Sequence, residues 1–405
     1  MVSSQARREQ VMYPKQYLKI VHTVASLNSS SGGPARTITA LCEALAKLNV
    51  ETRLITQCVE GLNDLSILPL PELVQTSFVK AWRIPYLGAP YSPRSRAALW
   101  KQSALLGAQL IHNHGLWLPF NHDAAMVASR LGVPLIISPR GMAEPWALKN
   151  RAWKKQLAWL AYQKADLRHA QVVHATSLME ARNLRSLGFT QPIALIPNAV
   201  DIPARSSERA DRNIGTRTAL FLSRIHPKKG LLHLVRAWNG VRPKGWRVLV
   251  VGPDESNHRV EVEREIDALQ LRDIFSFRGS VDDVEKWNCF FAADLFILPS
   301  LSENFGVVAA EALASGVPVI TTKGTPWEDL FTYKCGWWVD IGVEPLANAI
   351  REATNLSDAE RSAMGKRGRD LIRRQYDWQG VAEYMSSVYE WVIYGGTPPK
   401  CVVND

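Results

Sequence analysis

The chain has 405 residues, 46% of them hydrophobic and 21% charged, with a formal net charge of +10. That length suggests two to three domains, and the composition is that of a soluble globular protein with room for sizeable cores. Residues 1–200 carry 22 Lys and Arg against 10 Asp and Glu, leaving 26 and 28 for the remainder; the first half alone is basic and suits an anionic partner such as a membrane surface, a phosphorylated substrate or nucleic acid.

The N-terminal stretch MVSSQARREQVMYPKQYLK lacks the apolar core of a secretory signal. No uncharged apolar run reaches membrane-spanning length, so no span is expected. Cys42, Cys58, Cys289, Cys335 and Cys401 are scattered and odd in number, and they form no Cys-x-x-Cys pair. They point away from a disulfide framework or zinc site and towards a reducing compartment.

Strand-like residues 18–26 open the globular part, followed by a Ser/Gly cluster and a helical pattern over 34–48. Short β-branched or apolar runs recur at 51–56, 109–113, 134–138, 171–176 and 193–196, with helical stretches between most of them. This alternation predicts a parallel sheet covered on both faces. Residues 1–200 are therefore read as one domain. The polar, turn-rich stretch 201–217 reads as a linker. Strand patterns resume at 218–222, 247–251, 274–277, 295–298 and 317–321, within a second domain over 218–377. Two such series predict an α/β protein of two doubly wound domains facing a cleft. A last helix is expected over 378–394. The tail 395–405, with Gly-Gly and Pro-Pro, reads as loosely ordered.

The stretch PSLSENFGVVAAEALASGVPVI, residues 299–320, holds the most chemistry. A buried strand feeds a turn, and a helix begins near Phe305 or Gly306 and ends at Gly316, a C′ glycine. Ligands of open α/β sheets lie beyond the carboxyl ends of the strands. Free amides after Glu303 suit an anion, and Gly306 permits its close approach. Glu311, two turns inside, can reach a second part of the same ligand. The pair reads either as two hydroxyl-binding carboxylates flanking a phosphate site or as an acid near a helix start plus a surface acid.

The run from Glu303 to Ile320 resembles the E-x7-E signature of retaining glycosyltransferases of the GT-B fold, family 4. The resemblance extends to Phe221-Leu-Ser-Arg224-Ile-His-Pro-Lys-Lys229-Gly230 and to Ile196-Pro-Asn-Ala-Val200. It also takes in, more weakly, Ser31-Gly32-Gly33 and His112-Asn-His114-Gly, and it spans roughly residues 17–395. It implies that the first domain binds the acceptor, with helix 378–394 packed back on it, and that the second binds a nucleotide-sugar donor. Arg224 and Lys229 would grip the diphosphate, and Glu311 the ribose. Glu303, with the amides of Asn304, Phe305 and Gly306, would hold the transferred sugar. Gly32 and Gly33 would admit the phosphate, and His114 would lie at the reacting sugar, whereas His112 reads as a buried structural histidine. The donor would be a UDP- or GDP-linked hexose.

Negative charge grows on a diphosphate leaving group, and cations with helix N-termini can stabilise it. No Asp-x-Asp metal motif occurs; Asp282-Asp283 reads as a helix start. No cofactor and no metal are therefore expected. Ser138-Pro-Arg140-Gly-Met-Ala-Glu144-Pro-Trp146 resembles a loop of bacterial O-antigen and polysaccharide members, which makes Arg140, Glu144 and Trp146 candidate acceptor contacts. After it, Lys154, Lys155 and Lys164 interleave with Trp153, Leu157 and Leu160. That suits either a helix on an anionic bilayer or a core helix with a solvated basic face. The expectation is a cytoplasmic enzyme on the inner face of the membrane with a lipid-linked saccharide acceptor and no nucleic acid. A soluble acceptor, a sugar-nucleotide epimerase, and a basic membrane- or nucleic-acid-binding protein on a Rossmann-like scaffold are the alternatives.

Overall fold

A computed structural model describes residues 17–28, 33–59, 67–83, 90–149, 152–204 and 215–404, without the side chains of 83, 146, 149 and 152. Two sheets organise the chain. The first contains β1 (Lys19–Val24), β2 (Glu51–Val59), β3 (Gln75–Arg83), β4 (Pro90–Tyr91), β5 (Leu110–His114), β6 (Leu135–Ser138), β7 (Val172–Ala175) and β8 (Ile193–Leu195). The second contains β9 (Arg217–Leu222), β10 (Trp246–Val251), β11 (Phe275–Arg278), β12 (Leu295–Leu298), β13 (Val319–Thr322) and β14 (Gly336–Val339). A last strand, β15 (Val402–Val403), joins the first sheet, whose order is β15-β8-β7-β6-β5-β1-β2-β3-β4; the second runs β11-β10-β9-β12-β13-β14. Pairing is parallel except at the edge strands β4 and β15.

In each sheet the chain winds outward to one side and then returns to the other. The reversal falls between β1 and β5 in the first sheet and between β9 and β12 in the second. A crevice opens beyond the carboxyl ends of strands at such a switch point. The loops after β1, β5, β9 and β12 carry the sequence motifs, so topology alone gathers them. The architecture is that of two doubly wound α/β domains, as the strand–helix alternation predicts.

Helices cover both faces, so every residue of the central strands β5, β6, β7, β12 and β13 is buried, the histidines of β5 and β7 included. Alternation sorts the first domain's residues between faces. Val21, Ile111, Ile137 and Val173 meet the helices Ser95–Leu106 and Pro119–Leu131 on one side. Ile20, Leu110, Ile136 and Val172 meet Gly33–Lys47 and Trp378–Tyr394 on the other. The last helix of the chain thus completes the first domain's core with Val381, Met385, Val388 and Tyr389.

The tail differs from its reading as a loose end. Val402–Val403 pairs antiparallel with β8, and the Leu195 amide donates to the Cys401 carbonyl at 2.7 Å. An edge strand offers unpaired backbone groups, and the tail takes them. Gly395 and Gly396, both at positive φ, turn the chain towards that edge. β3, β4 and β14 carried no clear strand signal; β3 opens on three polar residues and then pairs its apolar ones without alternation, and β14 is only half buried.

Candidate active site

The helix after β12 runs Val307–Ala314, slightly later than its sequence reading, with Gly306 as N-cap at φ 76°. A Cβ on Gly306 would meet Trp327 Nε1 at 3.3 Å in a left-handed conformation, so both space and backbone call for glycine. Trp327 Nε1 donates to the Phe305 carbonyl at 2.6 Å, and the Phe305 ring packs against Trp327 and Tyr376. Phe305 is thereby a buried wedge, fixing a turn whose amides precede the helix. The first amides of a helix lack intrahelical acceptors.

At that mouth Lys229 Nζ lies 2.5 Å from Glu303 Oε1, and Ser300 Oγ donates to the same oxygen at 2.7 Å. Burial pushes the Glu303 carboxyl up, but Lys229, Ser300 and Lys228 together hold it below the usual glutamate value. Glu311, deeper in the helix, pairs with Lys286 at 2.7 Å; there burial prevails over Lys286 and the carboxyl is raised. Lys286 also faces Asp283 at 3.5 Å, and Asp283 takes Arg36 of the first domain at 2.5 Å. This chain of charges spans the gap between domains. Arg224 is more exposed and pairs with Glu255 at 2.7 Å.

The opposing wall comes from the first domain. Gly141, at φ 77°, sits so close to the second domain that a Cβ would stand 2.6 Å from Asn304 Cβ. Its amide donates to Glu180 at 2.6 Å, and Glu180 also accepts from the Thr176 amide at 2.8 Å. At this wall Ser302 Oγ donates to Glu144 Oε2 and Asn304 Nδ2 to Thr176 Oγ1 across the gap, both at 2.8 Å. Burial raises the Glu144 carboxyl, with the Ser302 hydroxyl opposing. Gly33 faces Val307.

Arg140 is 8% exposed, yet it lines the cleft together with Gly33, Glu144, Arg224, Lys228, Lys229 and the 303–306 turn. Its Nη1 donates to Asn198 Oδ1 at 2.5 Å and its Nη2 to His114 Nδ1 at 3.3 Å. Arg140 Nε and Asn304 Oδ1 are buried with no hydrogen-bond partner among the described residues. A buried donor and a buried acceptor left open in one cleft mark where a polar ligand would sit.

Of the sequence-predicted residues, Gly33, Arg140, Glu144, Arg224, Lys229 and the 303–306 turn line this cleft, and Glu311 lies deeper on the same helix. His114 does not reach the cleft surface as its reading implied. It is 2% exposed, behind Arg140, with both ring nitrogens bonded within the protein. Gly32 and the Trp146 side chain lie outside the described residues. Sequence reasoning missed Lys228, Lys286, Ser300, Asn198 and Arg36. Lys228 had a signal, beside Lys229 in the same loop; the others depend on tertiary placement. Chemically, the arrangement offers cations and helix amides for a diphosphate and carboxylates for hydroxyls.

Two family models match the chain in succession. One described as Glycosyltransferase Family 4 covers residues 31–203, and one described as Glycosyl transferases group 1 covers residues 205–371. A D-inositol 3-phosphate glycosyltransferase of Kineococcus radiotolerans is 30% identical over 318 residues, 70% of this chain and 72% of that one. A GDP-mannose:cellobiosyl-diphosphopolyprenol alpha-mannosyltransferase of Xanthomonas campestris is 23% identical over 388 residues, 94% of this chain and 98% of that one. Among solved structures, a sucrose-phosphate synthase of Thermosynechococcus elongatus superposes with a TM-score of 0.74 at 21% identity, covering 94% of this chain and all of that one.

Proposed function

Since the chain belongs to the family-4-like glycosyltransferases of the GT-B fold, we propose that its cleft moves a hexose, with retention, from a nucleotide diphosphate sugar to a lipid-linked saccharide in cell-surface polysaccharide biosynthesis. The observation that carries this is the pairing of Lys229 with Glu303 at the mouth of the Val307–Ala314 helix. One group attracts a diphosphate and the other accepts from sugar hydroxyls, at a helix N-terminus that favours anions. Lys228 and Arg224 line the same cleft.

In the transfer, the bond from the anomeric carbon to the diphosphate oxygen breaks and a bond to the acceptor oxygen forms on the same face. The acceptor hydroxyl's proton passes to the departing phosphate oxygen. The chain's part is electrostatic: Lys229, Arg224 and the helix amides hold the growing negative charge without a metal. Ionised Glu303 favours the positive charge developing on the sugar. Glu311 and Lys286 lie one to two turns deeper, where the nucleoside would reach.

A lipid-linked acceptor fits the helical segment Ala152–His169, which includes a π-turn at Trp159–Gln163. Trp153, Leu157 and Leu160 are 63%, 61% and 76% exposed, beside Lys154 and Lys164. That pattern suits an anionic cytoplasmic leaflet. No helix among the described residues is long and apolar enough to cross a membrane. The relative from Xanthomonas, by its name, uses GDP-mannose and a diphosphopolyprenol acceptor, and supports both halves of the reading.

A panel of UDP-, GDP- and ADP-sugars scored by thermal shift tests the donor assignment, because a bound donor raises the melting temperature. One nucleotide series should stabilise the protein, and Lys229→Ala should abolish that shift; no response to any of the three contradicts the reading.

A further inference from the structure

Four histidines, His22 on β1, His112 and His114 on the adjacent β5, and His174 on β7 beyond β6, lie buried in the first domain beside Tyr389 of the last helix. Their contacts form a single line. Arg140 Nη2 meets His114 Nδ1 at 3.3 Å, and His114 Nε2 meets His22 Nδ1 at 3.0 Å. His22 Nε2 meets Tyr389 Oη at 3.3 Å, and Tyr389 Oη meets His112 Nδ1 at 2.7 Å. His112 Nε2 meets His174 Nδ1 at 3.4 Å, and His174 Nε2 meets the Ile196 carbonyl at 2.9 Å.

The ends fix the direction. A guanidinium only donates and a carbonyl only accepts. Starting from Arg140, His114 Nδ1 must accept, so neutral His114 carries its proton on Nε2 and donates to His22. His22 then carries its proton on Nε2 and donates to Tyr389, whose one hydroxyl proton goes to His112. His112 and His174 repeat the pattern and deliver a donor to the Ile196 carbonyl. Starting from Ile196 and working back gives the same assignment at every member. Burial keeps the rings neutral: His22 and His174 are pushed down to about 3, and His112 and His114 well below their usual value.

We propose that this one-way chain, with Tyr389 at its middle, is a positioning device that holds the Arg140 guanidinium in the cleft and locks His114 as an Nε2–H tautomer with no nitrogen free for a ligand. The last helix of the chain thereby acts on the transfer site of the first domain. Nitrogens of His22, His112 and His114 also lie within 4.8 Å of one another, as a three-histidine metal site would require. All eight ring nitrogens are already committed, however, and the neighbouring charge is the cationic Arg140 rather than a carboxylate that would offset a metal.

Long-range proton–nitrogen NMR of the full-length protein, titrated with Zn2+ as a probe, reads the tautomers without substrate. All four rings should be neutral Nε2–H and unmoved by Zn2+. An Nδ1–H or imidazolium form in any of the four, or Zn2+-induced shifts, overturns the chain. The kinetic consequence rests on the transfer reading above. Tyr389→Phe keeps the ring and removes both hydrogen bonds, and should lower kcat about 10-fold or more while leaving donor KM near wild type. Arg140→Met/Tyr389→Phe should be no slower than Arg140→Met alone, since one change acts through the other. Additive losses, or a Tyr389→Phe enzyme of wild-type turnover, would show that Tyr389 only supports the fold.

Discussion

Lys229 Nζ stands 2.5 Å from Glu303 Oε1 with the two side chains only 12% and 13% exposed. Each is the other's counter-ion while the cleft holds no donor. A diphosphate arriving at Lys229 would free the carboxylate for sugar hydroxyls, so donor binding exchanges one paired state for another instead of uncovering bare charge.

Removing one partner strands the other. Lys229→Ala should cost up to about 3–5 kcal/mol of stability, because it leaves a buried carboxylate with only the Ser300 hydroxyl and the more distant Lys228 to offset its charge, and should lower kcat by about 10²-fold or more. Lys229→Met/Glu303→Gln should recover most of the stability and none of the turnover. Arg224→Ala, at an exposed pair, should lose turnover by a similar factor with little change in urea midpoint. Wild-type kcat in Arg224→Ala or Lys229→Ala would remove that residue from the diphosphate site.

The two glutamates should fail in different ways. On the proposed reading Glu311 would bind a part of the donor that changes little during transfer, so Glu311→Gln should mainly raise donor KM, by about 10- to 150-fold for a charged hydrogen bond. On the same reading Glu303 would face the developing positive charge, so Glu303→Gln should lower kcat more than it raises KM. Steady-state kinetics with varied donor separates them; the same pure KM defect in both variants would make Glu303 a binding group only.

Their pH signatures should also be opposite. Glu303 is held below its ordinary value of 4.5, so its contribution to stability is full above that pH and is lost as pH falls through the lower folded value. Glu311 is raised above 4.5, so its contribution is full below 4.5 and is lost as pH rises through the raised value. In urea titrations between about pH 3 and 7, the stability gap between wild type and Glu303→Gln should narrow in acid. The gap to Glu311→Gln should instead favour wild type most in acid. Parallel curves would contradict the assignment.

What was legible in the sequence is what short-range physics determines. The Glu303–Gly316 segment declares itself by strand, turn, positive-φ glycine and C′ glycine. Asp282 does so as an N-cap, accepting from the Glu285 amide at 2.8 Å. The Arg224–Lys229 loop follows a strand end, and the strand–helix alternation fixes which ends face the cleft. The pairing of Glu311 with Lys286 was not legible, because the two lie on different helices and only the packed domain brings them together. The imidazole chain draws on residues 22, 112, 174 and 389, whose adjacency depends on the whole sheet order and on the return of the last helix. His114 shows the cost: its position at the end of β5 was readable, but the Arg140 guanidinium covering it was not. The tail's glycines and prolines signalled turns correctly, while the edge it pairs with is a property of the finished sheet.

Activity should survive exhaustive EDTA treatment, since Lys229, Arg224 and the helix amides supply the charge a metal would otherwise bring. An assay before and after chelation checks this. Complete loss restored by Mn2+ would place a metal in the transfer step.

The anomeric configuration of the product tests the central claim most directly. The enzyme would be incubated with the donor selected by thermal shift and a polyprenyl-diphosphate saccharide, and the new linkage read by proton–carbon NMR. The account predicts a glycoside with the donor's own anomeric configuration, absent with Glu303→Gln/Lys229→Met; an inverted linkage, or transfer undiminished in that double variant, would contradict it.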